Sequence, residues 1–270
     1  MIDIATRKER LSIISTILTN HPSHLYPLSY FSELFGSAKS TLSEDISIIR
    51  ETLKKYGQGE IEVLMGAGGG VRYLPFIGEE ERAQVMRELL LKMQNPSRIL
   101  PGGYIYTADI FYNPQYVEKL SRILWGFFYK TTPDFVITAE AKGIPLAMGV
   151  AKLFDRPLVV VRKESKMTEG SVVTINYISG SSKRIQTMSL AKRAVSEGQK
   201  TIIIDDFIAG GGTVRAIFEM MKEFSITVLG CGAAISTRQP ERKRIENYKS
   251  LMTLEEVNEE AQKLVFTSNI

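Results

Sequence analysis

The sequence predicts an α/β protein in two parts, a small helical unit ending in a hairpin and a larger domain built on a mostly parallel sheet. Two observations carry this. From residue 134 onward, short apolar runs alternate with amphipathic stretches, the pattern of buried parallel strands between helices. Before residue 75, three short amphipathic stretches precede two β-prone runs separated by five small residues. The boundary is placed at residue 75, giving residues 1–75 and 76–270.

In the first part, Leu11, Ile14 and Leu18 share one helical face, and Asn20-His21-Pro22-Ser23 breaks that helix. Leu28, Phe31, Leu34 and Phe35 form a second stretch, ended by Gly36. Ala38, Leu42, Ile46, Ile49 and Leu53 recur at three- and four-residue spacing, and Gly57 stops this third helix. Ile61 to Met65 and Val71 to Leu74 are the arms of a hairpin around Gly66-Ala67-Gly68-Gly69-Gly70. The glycine run lacks a following Lys-Ser/Thr and precedes a strand, so it is read as a wing tip and not as a nucleotide loop.

Helices are expected over Glu80 to Met93 and Gln115 to Tyr129, separated by the turn Leu100-Pro101-Gly102-Gly103. Strands follow at Asp134 to Thr138 and Leu158 to Val161, flanking a Gly143 loop and a helix through Phe154. Val172 to Tyr177 and Ile185 to Leu190 read as antiparallel partners. Thr201 to Ile204 is a continuous apolar strand, then come a glycine-rich loop, a helix from Val214 to Phe224 and a strand from Thr227 to Ala234.

Composition narrows the function classes. Hydrophobic residues are 44% and charged residues 24%, as in ordinary globular proteins. Cys231 is the only cysteine and His21 and His24 the only histidines, which excludes a disulfide framework and a cysteine-rich metal site. The charged opening Met1 to Arg10 is unlike a signal peptide, and no apolar run is long enough to span a membrane. A cytoplasmic protein is expected. The net charge of +4 permits a polyanionic partner.

Helix, helix, turn, helix and hairpin is the order of a winged helix-turn-helix, which places its third helix in the DNA major groove. Lys39, Ser40, Thr41 and Ser43 are the candidate DNA contacts on that helix. Arg7, Lys8 and Arg10 are candidate phosphate contacts from the first helix, and Arg72 from the wing. Residues 1–75 nonetheless hold eight basic and eight acidic residues, so the unit has no net charge and all +4 lies in residues 76–270.

The most informative segment runs Asp205, Asp206, Phe207, Ile208, Ala209, Gly210, Gly211, Gly212, Thr213. An apolar strand delivers two carboxylates, and a loop without bulky side chains opens a helix. Backbone N–H groups and a helix N-terminus then surround an anion, with the Thr213 hydroxyl as a further donor. The carboxylates suit two sugar hydroxyls or a hydrated Mg²⁺. One phosphate and one vicinal diol describe a ribose 5-phosphate unit.

This segment resembles the phosphoribosyl pyrophosphate (PRPP) signature of type I phosphoribosyltransferases. A pyrophosphate loop is then expected after an earlier strand, at Glu140, Ala141, Lys142 and Gly143, with Lys142 as its cation. Nearly the whole chain resembles the purine operon repressor family of Gram-positive bacteria. Asn20-His21-Pro22, Ser40 to Asp45, Leu100 to Tyr104 and Thr168 to Ser182 carry that likeness beyond the loops. The resemblance implies a winged helix followed by a non-catalytic phosphoribosyltransferase-like domain through which the protein dimerises. It implies PRPP as an effector that lowers affinity for operator DNA, with guanosine tetraphosphate (ppGpp) competing for the pocket; no cofactor is required, and the acidic pair can take Mg²⁺ together with PRPP. Tyr104 matches the family tyrosine over the pocket, and Arg162 and Lys163 precede a mobile loop. Two positions depart from the pattern. Glu140 stands where a small residue is usual, and Ala209 where a Lys or Arg is common. Repression and activation are not separated by the sequence, and an active purine phosphoribosyltransferase with an accessory domain uses the same parts.

Overall fold

The computed structural model describes residues 5–163, 170–178 and 185–270. The chain divides into two compact units, Met1–Arg82 with Lys152–Asp155, and Ala83–Ala151 with Arg156–Ile270.

The first unit holds α1 (Arg7–Asn20), α2 (Leu28–Phe35), α3 (Lys39–Lys55), β1 (Glu60–Leu64) and β2 (Gly70–Leu74). A capping box starts α1: the Thr6 side chain accepts from the Glu9 amide, and the Glu9 carboxylate accepts from the Thr6 amide at 2.7 Å. Gly36 ends α2 in the left-handed conformation, as Gly does at helix C-termini. β1 and β2 pair antiparallel in register Glu60↔Leu74 to Leu64↔Gly70. Ile14, Leu18, Phe31, Leu42, Ile46 and Val71 close one core among the three helices and the hairpin. This is the winged helix-turn-helix the sequence predicts. Leu34, expected on the apolar face of α2, is exposed.

The second unit opens with α4 (Glu79–Met93), a 3₁₀ turn at Pro96–Arg98 and a short hairpin of β3 (Ile99–Leu100) and β4 (Tyr104–Ile105). Then come α5 (Ala108–Phe111), α6 (Pro114–Gly126), β5 (Phe135–Ala139), α7 (Gly143–Phe154) and β6 (Leu158–Val161). β7 (Val172–Ile178) and β8 (Ile185–Ala191) pair antiparallel as expected. β9 (Lys200–Ile208), α8 (Gly212–Glu223), β10 (Thr227–Thr237), β11 (Tyr248–Asn258) and β12 (Lys263–Ser268) complete the unit.

The central sheet has the order β12-β11-β10-β9-β5-β6, parallel throughout except for the β11–β12 edge pair. Ile137, Ile203, Ile217, Met220 and Ala233 lie in one cluster that joins α8 to the sheet. The order reverses direction between β5 and β9. Such a switch point opens a crevice at the carboxyl ends of the strands, where ligands of α/β folds bind. The β5–β9 ladder stops at Ile137↔Ile203, so the chains diverge just before Asp205. β9 itself runs to Ile208 with its partner β10, two residues beyond the acidic pair that sequence reading put at the strand's end. α5, β11 and β12 were not anticipated.

Candidate DNA-binding surface and effector pocket

On the first unit, Lys39, Ser40 and Ser43 are exposed along the start of α3, and Thr41 is half-buried. The side chain of Ser43 donates back to the Lys39 carbonyl at 2.9 Å. The first turn of α3 has no side-chain cap, so its N–H groups face outward as donors for an anion. The wing tip carries Met65, 90% exposed, beside its glycines. Arg50, with Ser43 and Ser47, lines a hollow between α3 and the hairpin and is an exposed cation the sequence reading passed over.

Arg10 does not belong to this surface. Its guanidinium lies in the interior, with Nε donating to Asp45 Oδ2 at 2.7 Å and Nη1 to the Ala5 carbonyl at 2.8 Å. Asp45, fully buried in α3, draws the cation inward, because a buried carboxylate needs a paired charge. Arg7 shares that carboxylate at 3.0 Å and reaches Glu44 at 3.5 Å, while Lys8 stays exposed. Arg72 is paired across the hairpin with Glu62 at 2.5 Å.

The second unit carries two adjoining cavities at the carboxyl edge of the sheet. The larger, about 650 Å³, is lined by Gly103, Tyr104, Lys142, Asp206 and Phe207, and by Thr237, Gln239 and Leu254 to Val257. The smaller, about 180 Å³, is enclosed by Asp205 and Phe207 to Val214. Phe207 is common to both. The wall from β10 and β11 was missed because the stretch beyond Ala234 was left unread; the β-prone run Leu251-Met252-Thr253-Leu254 was the available signal.

Asp205 is buried and its Oδ1 accepts from the Asp206 amide at 2.9 Å. Burial foremost, and then the neighbouring carboxylate, push its protonation well above the usual carboxylate range. Asp206 is pushed up by burial too, with Lys142 and Lys163 pulling the other way. Two carboxylates held partly out of water and close together attract a hydroxyl donor or a cation. Among the described residues no group of three or more His, Cys, Asp or Glu side chains gathers to hold a metal ion. A divalent ion therefore fits here only with ligand oxygens completing its shell.

The turn before α7 meets this pair closely. A Cβ on Gly143 would stand 2.7 Å from Thr138 Oγ1 and 2.9 Å from Asp205 Oδ1, so only glycine lets the two loops touch. The Glu140–Ala141 peptide is cis. Glu140 is turned away from the ligand space: its Oε2 accepts from the Lys163 amide at 3.4 Å, and Arg162 Nη1 lies at 4.0 Å from Oε1. Glu140, Ala141 and Gly143 line neither cavity, so of that loop only Lys142 projects into the space. The loop expected after Lys163 lies outside the described residues.

At the glycine loop, Gly211 has φ +75, a left-handed conformation, and opens α8 without a side-chain cap. Ala209 to Val214 line the small cavity. Ala209 leaves the loop without its own cation. Burial raises the Tyr177 hydroxyl of β7, which donates to Gln186 Oε1 at 2.8 Å. Tyr104 is positioned by the β3–β4 turn. The Gly102 and Gly103 amides donate to Glu259 at 3.0 and 3.2 Å. Arg98 forks onto Asp109 with two 2.8 Å bonds and holds the Tyr106 carbonyl, which lowers Asp109 to about 2.

Residues 6–75 match the family described as bacterial purine repressor, N-terminal, and residues 107–265 match the phosphoribosyl transferase domain. The chain is 42% identical over 252 residues to the purine biosynthesis transcriptional repressor PurR of Bacillus subtilis (strain 168), spanning 93% of this chain and 88% of the relative. It is 36% identical to the purine biosynthesis transcriptional activator PurR of Lactococcus lactis subsp. lactis (strain IL1403), over 93% of both chains. The adenine phosphoribosyltransferase of Rhodothermus marinus DSM 4252 shares the fold of the second unit, with a TM-score of 0.54 at 21% identity over 64% of this chain and 99% of the enzyme. A DNA-reading winged helix joined to a phosphoribosyltransferase fold, with this identity over nearly the full length, places the chain in the family of bacterial purine repressors.

Proposed function

We propose that the protein regulates transcription of purine biosynthesis genes in response to PRPP, as a non-catalytic sensor. The observation that carries the reading is that Lys142 and Asp206 line one cavity, with Asp205 and the glycine loop lining the next. A 5-phosphate sits on the amides of Ala209 to Thr213, and the ribose hydroxyls meet Asp205 and Asp206. The pyrophosphate reaches Lys142, and Tyr104 covers the ligand. Mg²⁺, where it accompanies PRPP, would be held by Asp206 with the ligand's own oxygens and would offset the repulsion between that carboxylate and the pyrophosphate.

Two copies, joined through their second units, present two α3 helices to a paired operator. PRPP shifts the protein off DNA only if it binds the DNA-free state more tightly than the DNA-bound state. Guanosine tetraphosphate takes the same pocket and, by displacing PRPP, returns the protein to the operator. The favoured sign is repression.

The test measures operator affinity at fixed salt as PRPP and Mg²⁺ are added, alongside calorimetry of PRPP binding. Affinity falls with PRPP for the natural sequence and is unresponsive for Lys142→Ala, whose DNA binding without effector is unchanged. Absence of PRPP binding refutes the sensor reading. Transcription from a purine promoter, with and without the protein, reads repression against activation. Transfer of a labelled purine base onto PRPP refutes the non-catalytic assignment.

A further inference from the structure

Two distant parts of the chain meet in the lining of the larger cavity. The tip of the β3–β4 hairpin supplies Gly102 to Ile105, and β11 supplies Leu254 to Val257. The hairpin has two ladder pairs, Ile99↔Ile105 and Leu100↔Tyr104, and is a sheet of its own. A two-stranded ribbon that short does not hold its shape in water without outside ties. Its root has them: Arg98 donates to the Tyr106 carbonyl and forks onto Asp109. Its tip is a turn from Leu100 to Gly103, closed by the Gly103 amide on the Leu100 carbonyl at 3.1 Å. Pro101 and a left-handed Gly102, φ +82, stand at its centre, as in a type II turn. The amide of the third residue of such a turn has no acceptor inside it.

Glu259 supplies that acceptor. Its Oε2 receives the Gly102 amide at 3.0 Å and the Gly103 amide at 3.2 Å, from the opposite end of the domain's sequence. Glu259 stands in the turn between β11 and β12, and that turn is braced on its own account. Asn258 Oδ1 accepts from the Ala261 amide at 2.9 Å, and Gln262 Nε2 donates to the Glu259 carbonyl at 2.7 Å. Among the described residues, the two bonds to Glu259 are the hydrogen bonds that join residues 99–105 to β11, β12 and their turn. The Tyr104 ring lies beside Gly102, 3.5 Å from where a Cβ there would stand. It is 59% exposed, so its place is set by the turn more than by packing.

We propose that Glu259 is a positioning residue of the effector pocket: its clasp on the Gly102 and Gly103 amides keeps Tyr104 in the lining of the larger cavity and slows escape of the ligand held there. The inference rests on that cavity taking the pyrophosphate of PRPP, as in the proposed function. A clasp and a mere charge at this place have effects of opposite sign. An exposed carboxylate near a polyanion repels it, so removing a mere charge tightens binding. Removing a clasp frees the turn and weakens binding.

Calorimetry and stopped-flow release of PRPP with Mg²⁺, on the full chain at constant ionic strength, test this. Glu259→Ala is expected to raise the PRPP dissociation constant about fivefold, mostly through faster release, as fits the loss of two hydrogen bonds to an exposed carboxylate. Glu259→Gln, whose amide oxygen still accepts from both N–H groups, stays within about twofold of the natural chain. In a Tyr104→Ala chain, adding Glu259→Ala changes affinity by less than about twofold, because the ring to be positioned is gone. Glu260→Ala removes the next exposed carboxylate of the same turn and also stays within about twofold, as a solvent-screened charge should. Hydrogen exchange over residues 100–105 reads the clasp without any ligand: it speeds up in Glu259→Ala and is unchanged in Glu259→Gln. The proposal is overturned by PRPP binding that is unchanged or tighter in Glu259→Ala, by an equal loss in Glu259→Gln or in the Tyr104→Ala chain, or by exchange that Glu259→Ala does not move. In each case the sensor reading stands as long as the natural chain binds PRPP. If the natural chain binds none, the sensor reading falls and takes the effector role of Glu259 with it.

Discussion

Asp45→Ala is expected to destabilise the winged-helix unit by about 3–5 kcal/mol, the usual result of stranding one member of a buried ion pair. Asp45 has no exposed side-chain surface and receives Arg10 at 2.7 Å and Arg7 at 3.0 Å. Arg7 is half exposed and turns to water when the carboxylate is lost, but Arg10 is 10% exposed and cannot. Among the described residues its one other side-chain bond is to the Ala5 carbonyl. Removing both charges at once, with Arg10→Met and Asp45→Leu, should come within about 1 kcal/mol of the natural sequence or exceed it, because neither group is left unpaired. Urea denaturation followed by circular dichroism measures both. The single Trp125 lies in the other unit, so its fluorescence separates that transition from this one. Operator affinity is taken across a salt series below the melting range. An interior Arg10 makes the double variant keep the salt slope of the natural protein, whereas a phosphate contact would lower the slope by about one per contact. Near-normal stability for Arg10→Ala, together with a lowered slope, would refute the reasoning.

Asp205→Asn should raise the midpoint of unfolding at neutral pH and abolish the PRPP response. A carboxyl raised by burial contributes stability below its unfolded pKa and loses it as pH rises through the folded value. The variant's advantage must therefore grow from pH 4 toward pH 8, and an advantage independent of pH would count against a strained ionised pair. Gly143→Ala should cost about 1–3 kcal/mol, because its Cβ meets Thr138 Oγ1 and Asp205 Oδ1, and should weaken PRPP binding; an unchanged melt would show that the loops can part. Asp109→Asn should cost about 1–3 kcal/mol by leaving Arg98 half-satisfied, and should loosen Tyr104. Asp109 is lowered to about 2, so its contribution is present above the ordinary carboxylate pKa and lost as pH falls from about 4 through 2; the variant's pH profile should be flatter in that window.

Elements were legible where local rules agree. Leu42, Ile46 and Ile49 in one phase gave α3, and Gly36 and Gly57 marked helix ends that structure places at Phe35 and Lys55. The glycine loop was legible because strand, acid pair, small residues and helix each constrain the others. Arg10 was misread because exposure is a tertiary property. Nothing in the i, i+3 spacing of α1 reports a carboxylate 35 residues away in α3. Glu140 was doubtful for the same reason, since its partners, the Lys163 amide and Arg162, follow another strand. The β10–β11 wall of the larger cavity was hidden by its own construction: Thr237 and Leu254 are ordinary strand residues, and only the pairing of β10 with β11 sets them side by side in the lining with Tyr104.

The pairing of cations in the first unit bears on how little energy an effector needs. Residues 1–75 are electrically neutral in sequence, and Arg10 is buried, Arg7 shared between two acids and Arg72 tied to Glu62. Lys8, Lys39 and Arg50 are left as exposed cations near the reading surface. Few released counterions mean a weak non-specific term, so affinity for an operator has to come from base contacts and from two units bound at once. A regulator built this way sits close to its dissociation threshold. An effector that favours the DNA-free state by only about 1–3 kcal/mol, the ordinary range of allosteric coupling, then changes occupancy by roughly 5- to 150-fold.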